Sequence, residues 1–321
     1  MCINDISANQ KGIDALTAEL NKQYGKGSAV GVAADVTSGS EVEGLIQKSV
    51  EALGPLTVMV ANAGIAQVAP MLEISDADGS SLLPYPALYT LTQNTVERMF
   101  GVNFMGVWHC YTKAAKQMIA QGPVPEGSTG YKIIGAASIV AFKPFPLLSH
   151  YSASKWAVRG LTQVTAMELA KYKIAVNAYA PGIVGTAMWD LIDEKLGEAE
   201  GRAKGESVKK YSTDLTAMGR VSVPDDVAKV VGGFLAGKDS EFVTGQTIVV
   251  DGGIVGFVLN LTPVFLWIKA NKMSADLYVK ERKTGHPGKR KSVGIGWQAV
   301  RPGVLHFNAS YNPDTVDAVA V

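Results

Sequence analysis

The sequence has little cysteine, almost no net charge and no long apolar run. Its 321 residues include only two cysteines, which excludes a disulfide framework and a cysteine-rich metal centre. The 30 basic and 29 acidic residues leave a net charge of +1, so overall charge gives no reason to expect nucleic acid as a partner. The most apolar stretch, Ile254–Ile268, is shorter than the roughly 20 residues of a membrane span, and the first residues show no secretory signal. We therefore expect a cytoplasmic protein that binds no membrane, no nucleic acid and no metal.

What the sequence does contain is 34 glycines and a regular alternation of strand and helix patterns. Short apolar runs predict strands at Ala29–Ala34, Leu56–Ala61, Lys132–Ala137, Ile174–Tyr179 and Gln246–Val250. Amphipathic segments between them predict helices that begin near Ser7, Ser38, Thr92, Tyr151 and Pro224. The strand Leu56–Ala61 is apolar throughout, as is typical of a strand buried on both faces. The pattern predicts a doubly wound α/β fold around a parallel sheet.

Two segments break this alternation. Residues 75–91 contain two prolines and have no clean period, and we expect an inserted surface loop. Residues 254–321 are an irregular tail in which residues 269–292 hold eight basic and two acidic side chains. That basic run is either a solvated, partly disordered segment or a patch for a polyanion. The domain assignment is therefore 1–253 for the α/β domain and 254–321 for the tail.

Tyr151 and Lys155 are the strongest chemical signal. They are four residues apart on a predicted helix, so both side chains project from one face. A phenol with a pKa near 10 exchanges protons poorly at neutral pH, and a neighbouring ammonium would lower that pKa. The pair is a candidate acid/base device, although a solvated surface pair has the same spacing.

Other polar residues fall where strands or helices would bring them to the same pocket. Ser138 and Asn62-Ala63-Gly64 each follow a predicted strand, as does the loop Pro181–Thr186. Asn103 is an amide in an apolar helical stretch. Each residue has a simpler explanation, as a turn former, a cap or a satisfied core amide. The carboxyl ends of parallel strands, however, are where ligands of such sheets bind, and we expect these residues to converge there.

Taken together, these motifs resemble the short-chain dehydrogenase/reductase family. Asn62-Ala63-Gly64 matches a family motif, and Asp251-Gly252-Gly253 matches the end of its last strand. The catalytic tetrad of the family is matched by Asn103, Ser138, Tyr151 and Lys155. The resemblance covers residues 1–253. The segments Trp156–Gln163 and Pro181–Trp189 look most like diacetyl/acetoin reductases, also described as butanediol dehydrogenases, although related polyol dehydrogenases share much of this sequence.

The resemblance implies a Rossmann-like, NAD-dependent oxidoreductase that reduces small ketones, and an oligomer of identical chains. Tyr151 would exchange the proton with the substrate oxygen, Ser138 would donate to that oxygen, and Lys155 would bias the tyrosine and bind the nicotinamide ribose. Asn103 would hold a water that links Lys155 to solvent. Asp5 would accept from the ribose 2′-hydroxyl and disfavour NADP. The implied cofactor-binding residues are Asp5, Asp35, Val36, Asn62, Ala63, Gly64, Tyr151, Lys155, Pro181, Gly182, Val184 and Thr186. Asp5 and Asp35 could equally be turn or cap residues.

One part of the family pattern has no match. The first strand, its glycine-rich phosphate turn and the following helix would precede Asp5, and this sequence has no counterpart. We therefore expect open edges on the two strands that flank that position and weak or absent NAD binding. Other functions stay open: another polyol or 3-oxoacyl reductase of the family, or an inactive remnant that cannot bind the cofactor.

Overall fold

The computed structural model describes residues 1–74, 96–124, 130–203, 205–256, 296–301 and 304–308. By its contacts the chain divides into two compact units, 1–258 and 259–321. In the second unit the described residues form an antiparallel pair of strands that the sequence analysis did not predict, at Gly296–Arg301 and Val304–Asn308. The proposed insertion 75–91 and the basic segment 269–292 lie outside the described residues.

The first unit begins with two strand–helix repeats and a third strand. In chain order these are β1 (Cys2–Asp5), α1 (Gln10–Tyr24), β2 (Val30–Ala33), α2 (Gly39–Leu53) and β3 (Val58–Ala61). The predicted cap of α2 is confirmed, since the Ser38 hydroxyl accepts from the Glu41 amide at 3.3 Å. The predicted cap of α1 is wrong: Ser7 lies in a short 3₁₀ turn, and the α-helix starts three residues later at Gln10.

The remaining elements continue the alternation. They are α3 (Val96–Phe100), α4 (Gly106–Ala120), β4 (Tyr131–Ala136), α5 (Ser149–Leu169), β5 (Ile174–Pro181), α6 (Ala187–Glu200), α7 (Glu206–Leu215), α8 (Pro224–Ala228) and β6 (Thr247–Val250). A π-helical turn, Gly101–Met105, joins α3 to α4, and a second one, Lys229–Leu235, continues α8. Pro224 stands at the first position of α8, where its missing amide hydrogen costs nothing.

The strands of this unit form two separate parallel sheets. One contains β1 and β2, and the other has the order β3-β4-β5-β6. Among the described residues, no strand pairs with the free edge of β1 or of β3. The expected pair of open edges is therefore present in the fold.

Side chains cover the four-stranded sheet on both faces. Ile133, Val176 and Ala178 face α4 and α5 in the largest core cluster, while Ile134 and Tyr179 face Leu235 on the other side. The β1–β2 pair is joined to this body through α4. Val36, which follows β2, packs against Gly106, and the His109 ring hydrogen-bonds to the Val36 carbonyl oxygen at 3.0 Å.

The expectation that β3 is buried on both faces is wrong. Val60 is 39% exposed, although Ala61 beside it is buried. The reason is the open edge: β3 pairs only with β4 among the described residues, so one face of its last residues borders a cavity. Among the described residues no helix is long and apolar enough to cross a membrane.

Candidate active site

A cavity of about 970 Å³ opens at the carboxyl ends of β3, β4 and β5. This is the edge at which open parallel sheets bind their ligands. The polar or charged side chains that line it lie in or just after strands of both sheets, on α5 and at the start of α6, and they are Asp5, Asn62, Ser138, Tyr151, Lys155, Tyr179 and Thr186. The strand-end residues singled out in the sequence therefore share one cavity.

Tyr151 and Lys155 enter this cavity from the first turns of α5. The Tyr151 side chain is buried, and Lys155 is only 3% exposed. The Lys155 ammonium lies 5.8 Å from the centre of the Tyr151 ring, as their four-residue spacing predicts. The pair therefore belongs to a buried site, which excludes the alternative of a solvated surface pair.

Ser138 lies next to Tyr151 at the end of β4. Burial raises the pKa of the Tyr151 phenol above 10.0, and the Ser138 hydroxyl opposes that shift because it favours the ionised phenol. The spacing of Tyr151 and Lys155 predicted that the ammonium would lower the Tyr151 pKa, and this prediction is wrong: the pKa is raised. The reason is that both side chains are removed from water, which the spacing of the two residues could not show. Ser138 also accepts from the Val140 amide at 3.4 Å, so it caps the following turn as well.

Lys155 is held by the backbone of β4. Its ammonium donates to the Ala136 carbonyl oxygen at 2.8 Å. Burial lowers the pKa of Lys155 from 10.5 to about 8, because the charged amine has lost most of its hydration. A lysine in this range exchanges its proton near neutral pH, which an exposed lysine does not.

Asn103 lies in the π-helical turn between α3 and α4 and is fully buried. Its amide oxygen accepts from the Ile65 amide at 2.8 Å, and its amide nitrogen donates to the Ile65 carbonyl at 3.0 Å and to Ser154 Oγ at 3.1 Å. The core-amide explanation therefore holds for these atoms. The water link to Lys155 stays a prediction.

Gly64 brings these groups close to the turn that follows β3. A Cβ atom at Gly64 would lie 3.3 Å from Asn103 Oδ1 and 3.4 Å from Lys155 Nζ. A larger residue would therefore crowd the lysine, which explains why the turn carries a glycine at this point. Of the motif Asn62-Ala63-Gly64, Asn62 and Gly64 line the cavity, whereas Ala63 is not among the lining residues.

The loop after β5 forms the opposite wall. Pro181, Gly182, Val184 and Thr186 all line the cavity, and their contact with a nicotinamide stays a prediction. The Gly182 amide donates to the Val250 carbonyl at 3.0 Å, and a Cβ atom on Gly182 would lie 2.8 Å from that of Asp251. The loop thus approaches β6 at a distance that only glycine permits.

The residues expected at the adenosine end are less well assembled. Asp5 lines the cavity, but its carboxylate accepts from the Ile6 amide and from Asn9 Nδ2, both at 2.7 Å. Asp35 and Val36 are not among the lining residues. Asp35 accepts from the amide and hydroxyl of Thr37 in a turn, and Val36 packs on α4. For Asp35, the turn explanation fits this geometry.

The cavity therefore fits a dinucleotide at one end. At that end Lys155, Thr186 and the strand-end groups lie around one cavity, with the hydrogen-bond donors that a nicotinamide and its ribose would need. At the other end, no described strand lies between β1 and β3, so the helix N-terminus that normally faces a pyrophosphate has no counterpart in the described part of the chain.

Sequence reasoning missed several residues that shape the site. Tyr179 lines the cavity and hydrogen-bonds to Asn62, and Ser154 connects Asn103 to the Tyr151 carbonyl oxygen, which it bonds at 2.7 Å. Leu147, also in the lining, has a φ of 65°, an unfavourable conformation for a side chain of its size. The sequence does contain a signal for Ser154, because its spacing of three residues from Tyr151 predicts a contact on a helix. Tyr179 and Leu147 have no such signal, since their positions depend on long-range structure.

The wall that faces Tyr151 is apolar. It is formed by residues after β4 and on α6 and α7, among them Ile139, Val140, Leu148, Trp189, Ile192 and Leu215. Asp193 fixes α6 to α7, since its carboxylate accepts from the amides of Gly205 and Val208. Lys155 is the only cation among the described lining residues. In the described part of the chain no group of three or more His, Cys, Asp or Glu side chains is arranged to hold a metal.

Comparisons with known proteins agree with this geometry. The family model "short chain dehydrogenase" matches residues 2–197. The chain is 43% identical to L-2,3-butanediol dehydrogenase of Corynebacterium glutamicum, over 71% of this chain and 78% of that one. It is 38% identical to diacetyl reductase [(S)-acetoin forming] of Staphylococcus epidermidis, over 75% and 86%. Among solved structures, a gluconate 5-dehydrogenase from Burkholderia cenocepacia in complex with NADP and tartrate superposes with a TM-score of 0.62, at 26% identity over 80% and 86% of the two chains.

Proposed function

The chain belongs to the short-chain dehydrogenase/reductase family and is an oxidoreductase that acts on CH–OH groups; from that premise we propose that it reduces small uncharged ketones and diketones, such as diacetyl and acetoin, with NADH. The observation that carries the proposal is the meeting of Tyr151, Ser138 and Lys155 in one buried cavity. Asn103 lies just behind it, where its amide oxygen and the Lys155 ammonium both border Gly64. The names of the relatives support the same substrate class.

In this proposal Tyr151 is the acid/base. Burial keeps its phenol protonated at neutral pH, so it can donate a proton to the substrate oxygen during reduction and recover it during oxidation. The Ser138 hydroxyl, which lies beside the phenol, donates to the same oxygen as negative charge develops there. Lys155 takes part in the proton exchange that follows, since its pKa of about 8 lies close to neutral pH.

The family uses nicotinamide cofactors, and a bound nicotinamide supplies or accepts the hydride. Lys155, Thr186 and the Pro181–Gly182 backbone would hold the nicotinamide end. We propose NAD rather than NADP, because the Asp5 carboxylate at the other end would repel a 2′-phosphate. Asp35 and Val36 belong to that end only if the β1–β2 pair moves towards the cavity.

The lining of the cavity supports an uncharged substrate. Around Tyr151 the wall is apolar, and the only cation among the described lining residues, Lys155, is already bonded to a backbone carbonyl. A carboxylate or phosphate on the substrate would be desolvated without a partner, at a cost of several kcal/mol. A vicinal diketone needs only hydrogen-bond donors at one oxygen and apolar surface elsewhere.

The test is a set of initial rates measured by NADH absorbance on the purified chain. Diacetyl and acetoin should be reduced faster than an acetoacetyl thioester, which stands for a 3-oxoacyl reductase, and faster than a sugar acid. A higher rate with the thioester would overturn the substrate assignment but leave the reaction class in place.

A second function is favoured by the division of the sheet. A chain whose β1–β2 pair does not complete the dinucleotide cleft could be an inactive remnant that acts only through its partners. No reduction of any substrate at millimolar NADH, with a folded protein, would favour that function. From the resemblance to the family we also propose that the chain forms a homo-oligomer and is located in the cytoplasm.

A further inference from the structure

One row of side chains crosses the four-stranded sheet at the cavity. Ala61 pairs with Gly135 and Ala136 pairs with Tyr179, so the next residue of the first strand, Asn62, falls in line with Ala136 and Tyr179. Side chains alternate between the faces of a strand, and all three therefore lie on the face that carries Leu235. Because Ala136 is small, the Tyr179 ring can extend over it to Asn62.

Tyr179 and Asn62 make a direct contact along this row. The Tyr179 hydroxyl donates to Asn62 Oδ1 at 2.5 Å, and Tyr179 is 4% exposed. Burial raises the pKa of this phenol and the neighbouring Tyr151 phenol raises it further, so Tyr179 remains a donor. With its oxygen occupied, the exposed Asn62 amide turns its nitrogen away from Tyr179, and no described residue accepts from that nitrogen.

We propose that Tyr179 is a positioning residue that fixes the Asn62 amide so that its NH₂ group faces the cavity as a hydrogen-bond donor. Phosphate and ribose oxygens are acceptors, and an amide that could rotate would present its own oxygen to them part of the time. The inference rests on the proposed function in one respect, since the donor matters for binding only if a dinucleotide occupies the cavity.

The opposite face of the same sheet provides a matched control. Tyr111 is buried to a similar degree, and its hydroxyl lies 2.9 Å from Thr162 Oγ1 above Gly135, the residue before Ala136. Tyr111 is not among the residues that line the cavity, and its hydroxyl bonds to Thr162 and to the Asn177 carbonyl oxygen, not to Asn62. Tyr179→Phe and Tyr111→Phe therefore each remove one buried phenol hydroxyl from the same strand neighbourhood, and only the first touches Asn62.

The experiment has one arm without cofactor and one with it. In a sample labelled with ¹⁵N at asparagine, NMR follows the side-chain NH₂ signals of Asn62, which are assigned by their loss in Asn62→Ala. We expect Y179F to shift these signals and speed their exchange with water, and Y111F to leave them unchanged. Titration with NADH, followed by tryptophan fluorescence, should give a dissociation constant about 5- to 10-fold higher for Y179F and unchanged for Y111F.

The double variant shows whether Tyr179 acts through Asn62. N62A should weaken NADH binding by itself, and N62A/Y179F should bind no more weakly than N62A. Unaltered Asn62 signals in Y179F, or equal weakening of NADH binding by Y179F and Y111F, would overturn the inference. If the unsubstituted chain binds no NADH, the proposed function fails instead, and the NMR arm still decides whether Tyr179 holds the amide.

Discussion

The β3–β6 sheet and the β1–β2 pair border the same cavity, but they differ in how they are completed. The larger sheet pairs its strands without interruption and carries Ser138 at one strand end and the loop after β5 at another. The smaller pair reaches the cavity only through Asp5, whose carboxylate is already bonded to Ile6 and Asn9. The residues that we propose for proton transfer are therefore assembled on one side, whereas the described residues do not bring together those expected to bind adenosine.

Because of this difference, the proposed proton transfer and the affinity for the cofactor depend on different parts of the fold. The groups that we propose to react depend on β3 and β4, which pair in one sheet, and on α5, which packs in the same core. Binding of the far end of a dinucleotide depends on an alignment between two sheets that no described hydrogen-bonded strand enforces. Substitutions on the two sides should consequently have effects of different size and kind.

The largest effect is expected from Tyr151→Phe. Loss of the phenolic proton should lower kcat for diacetyl reduction by about 10³-fold, within the range of acid/base catalysis, with little change in NADH affinity. Steady-state rates and fluorescence titration measure the two quantities. The matched control is Tyr172→Phe at an exposed tyrosine, which should change neither. Retention of a tenth of the activity in Y151F would place the acid/base elsewhere.

Lys155→Met should lower kcat by roughly 10²-fold while making the fold more stable at pH 7. The buried amine has a pKa of about 8 in the folded chain against 10.5 when unfolded, so the unfolded state binds the proton first as pH falls. The free energy of unfolding of the unsubstituted chain should therefore decrease as the pH falls from about 10.5 to about 8. In K155M this dependence on pH should be absent. Thermal unfolding across this range measures it.

Lys132→Met is the control for that result. Lys132 is also buried, with a pKa lowered by burial, but its ammonium lies 3.2 Å from Ser240 Oγ, outside the cavity lining. K132M should leave the rates and their pH dependence unchanged.

In the unsubstituted chain, the rate of diol oxidation should rise and the rate of ketone reduction should fall as the pH rises past about 8, because Lys155 must be unprotonated to take up the released proton. The reverse trend would remove Lys155 from the proton path.

A smaller effect should distinguish the two ends of the cofactor. NADH should bind this chain no more than about tenfold more tightly than reduced nicotinamide mononucleotide, a difference of ~1.4 kcal/mol, because the adenosine end gains few contacts. Quenching of tryptophan fluorescence can report both, since Trp189 lines the cavity. A preference of 10³-fold or more for NADH would mean that the β1–β2 pair completes the cleft in solution.

The smallest effect is expected from Asp5→Asn. Removing this exposed charge should reduce the preference for NADH over NADPH by about threefold, since water and salt screen an exposed carboxylate. Asp35→Asn alters a turn carboxylate outside the cavity lining and should not change the preference. If D35N has the larger effect, the adenosine end lies closer to β2 than the fold indicates.

Local rules predicted most of the helices and strands and the convergence of Ser138, Tyr151 and Lys155 on one cavity. The four-residue spacing placed Tyr151 and Lys155 on one face, and the parallel sheet brought Ser138 and Asn62 to a common edge. The contribution of Tyr179 could not be predicted in this way. It requires the register across β3, β4 and β5, which brings together residues more than 100 positions apart in sequence, as the Tyr179–Asn62 bond shows.

The direction of the Tyr151 pKa shift could not be predicted from the sequence either. It depends on the balance between burial and the Ser138 hydroxyl, which only the packed cavity determines. The exposure of Val60 is a similar case, because an apolar strand predicts burial whether or not a neighbour is present to cover it. The positive φ of Leu147 has no sequence signal, since leucine is uncommon in that conformation.

The attachment of β1 and β2 through Val36 and Gly106 has a consequence for how the chain fluctuates. A pair held by side-chain packing, without shared strand hydrogen bonds to β3, can unfold locally while the rest of the domain stays native. Its backbone amides would then exchange with solvent deuterium at a lower opening free energy than those of β4 and β5. Any ligand that spans both regions would have to suppress these openings, and its apparent affinity would be reduced by the fraction of molecules in which the pair is undocked.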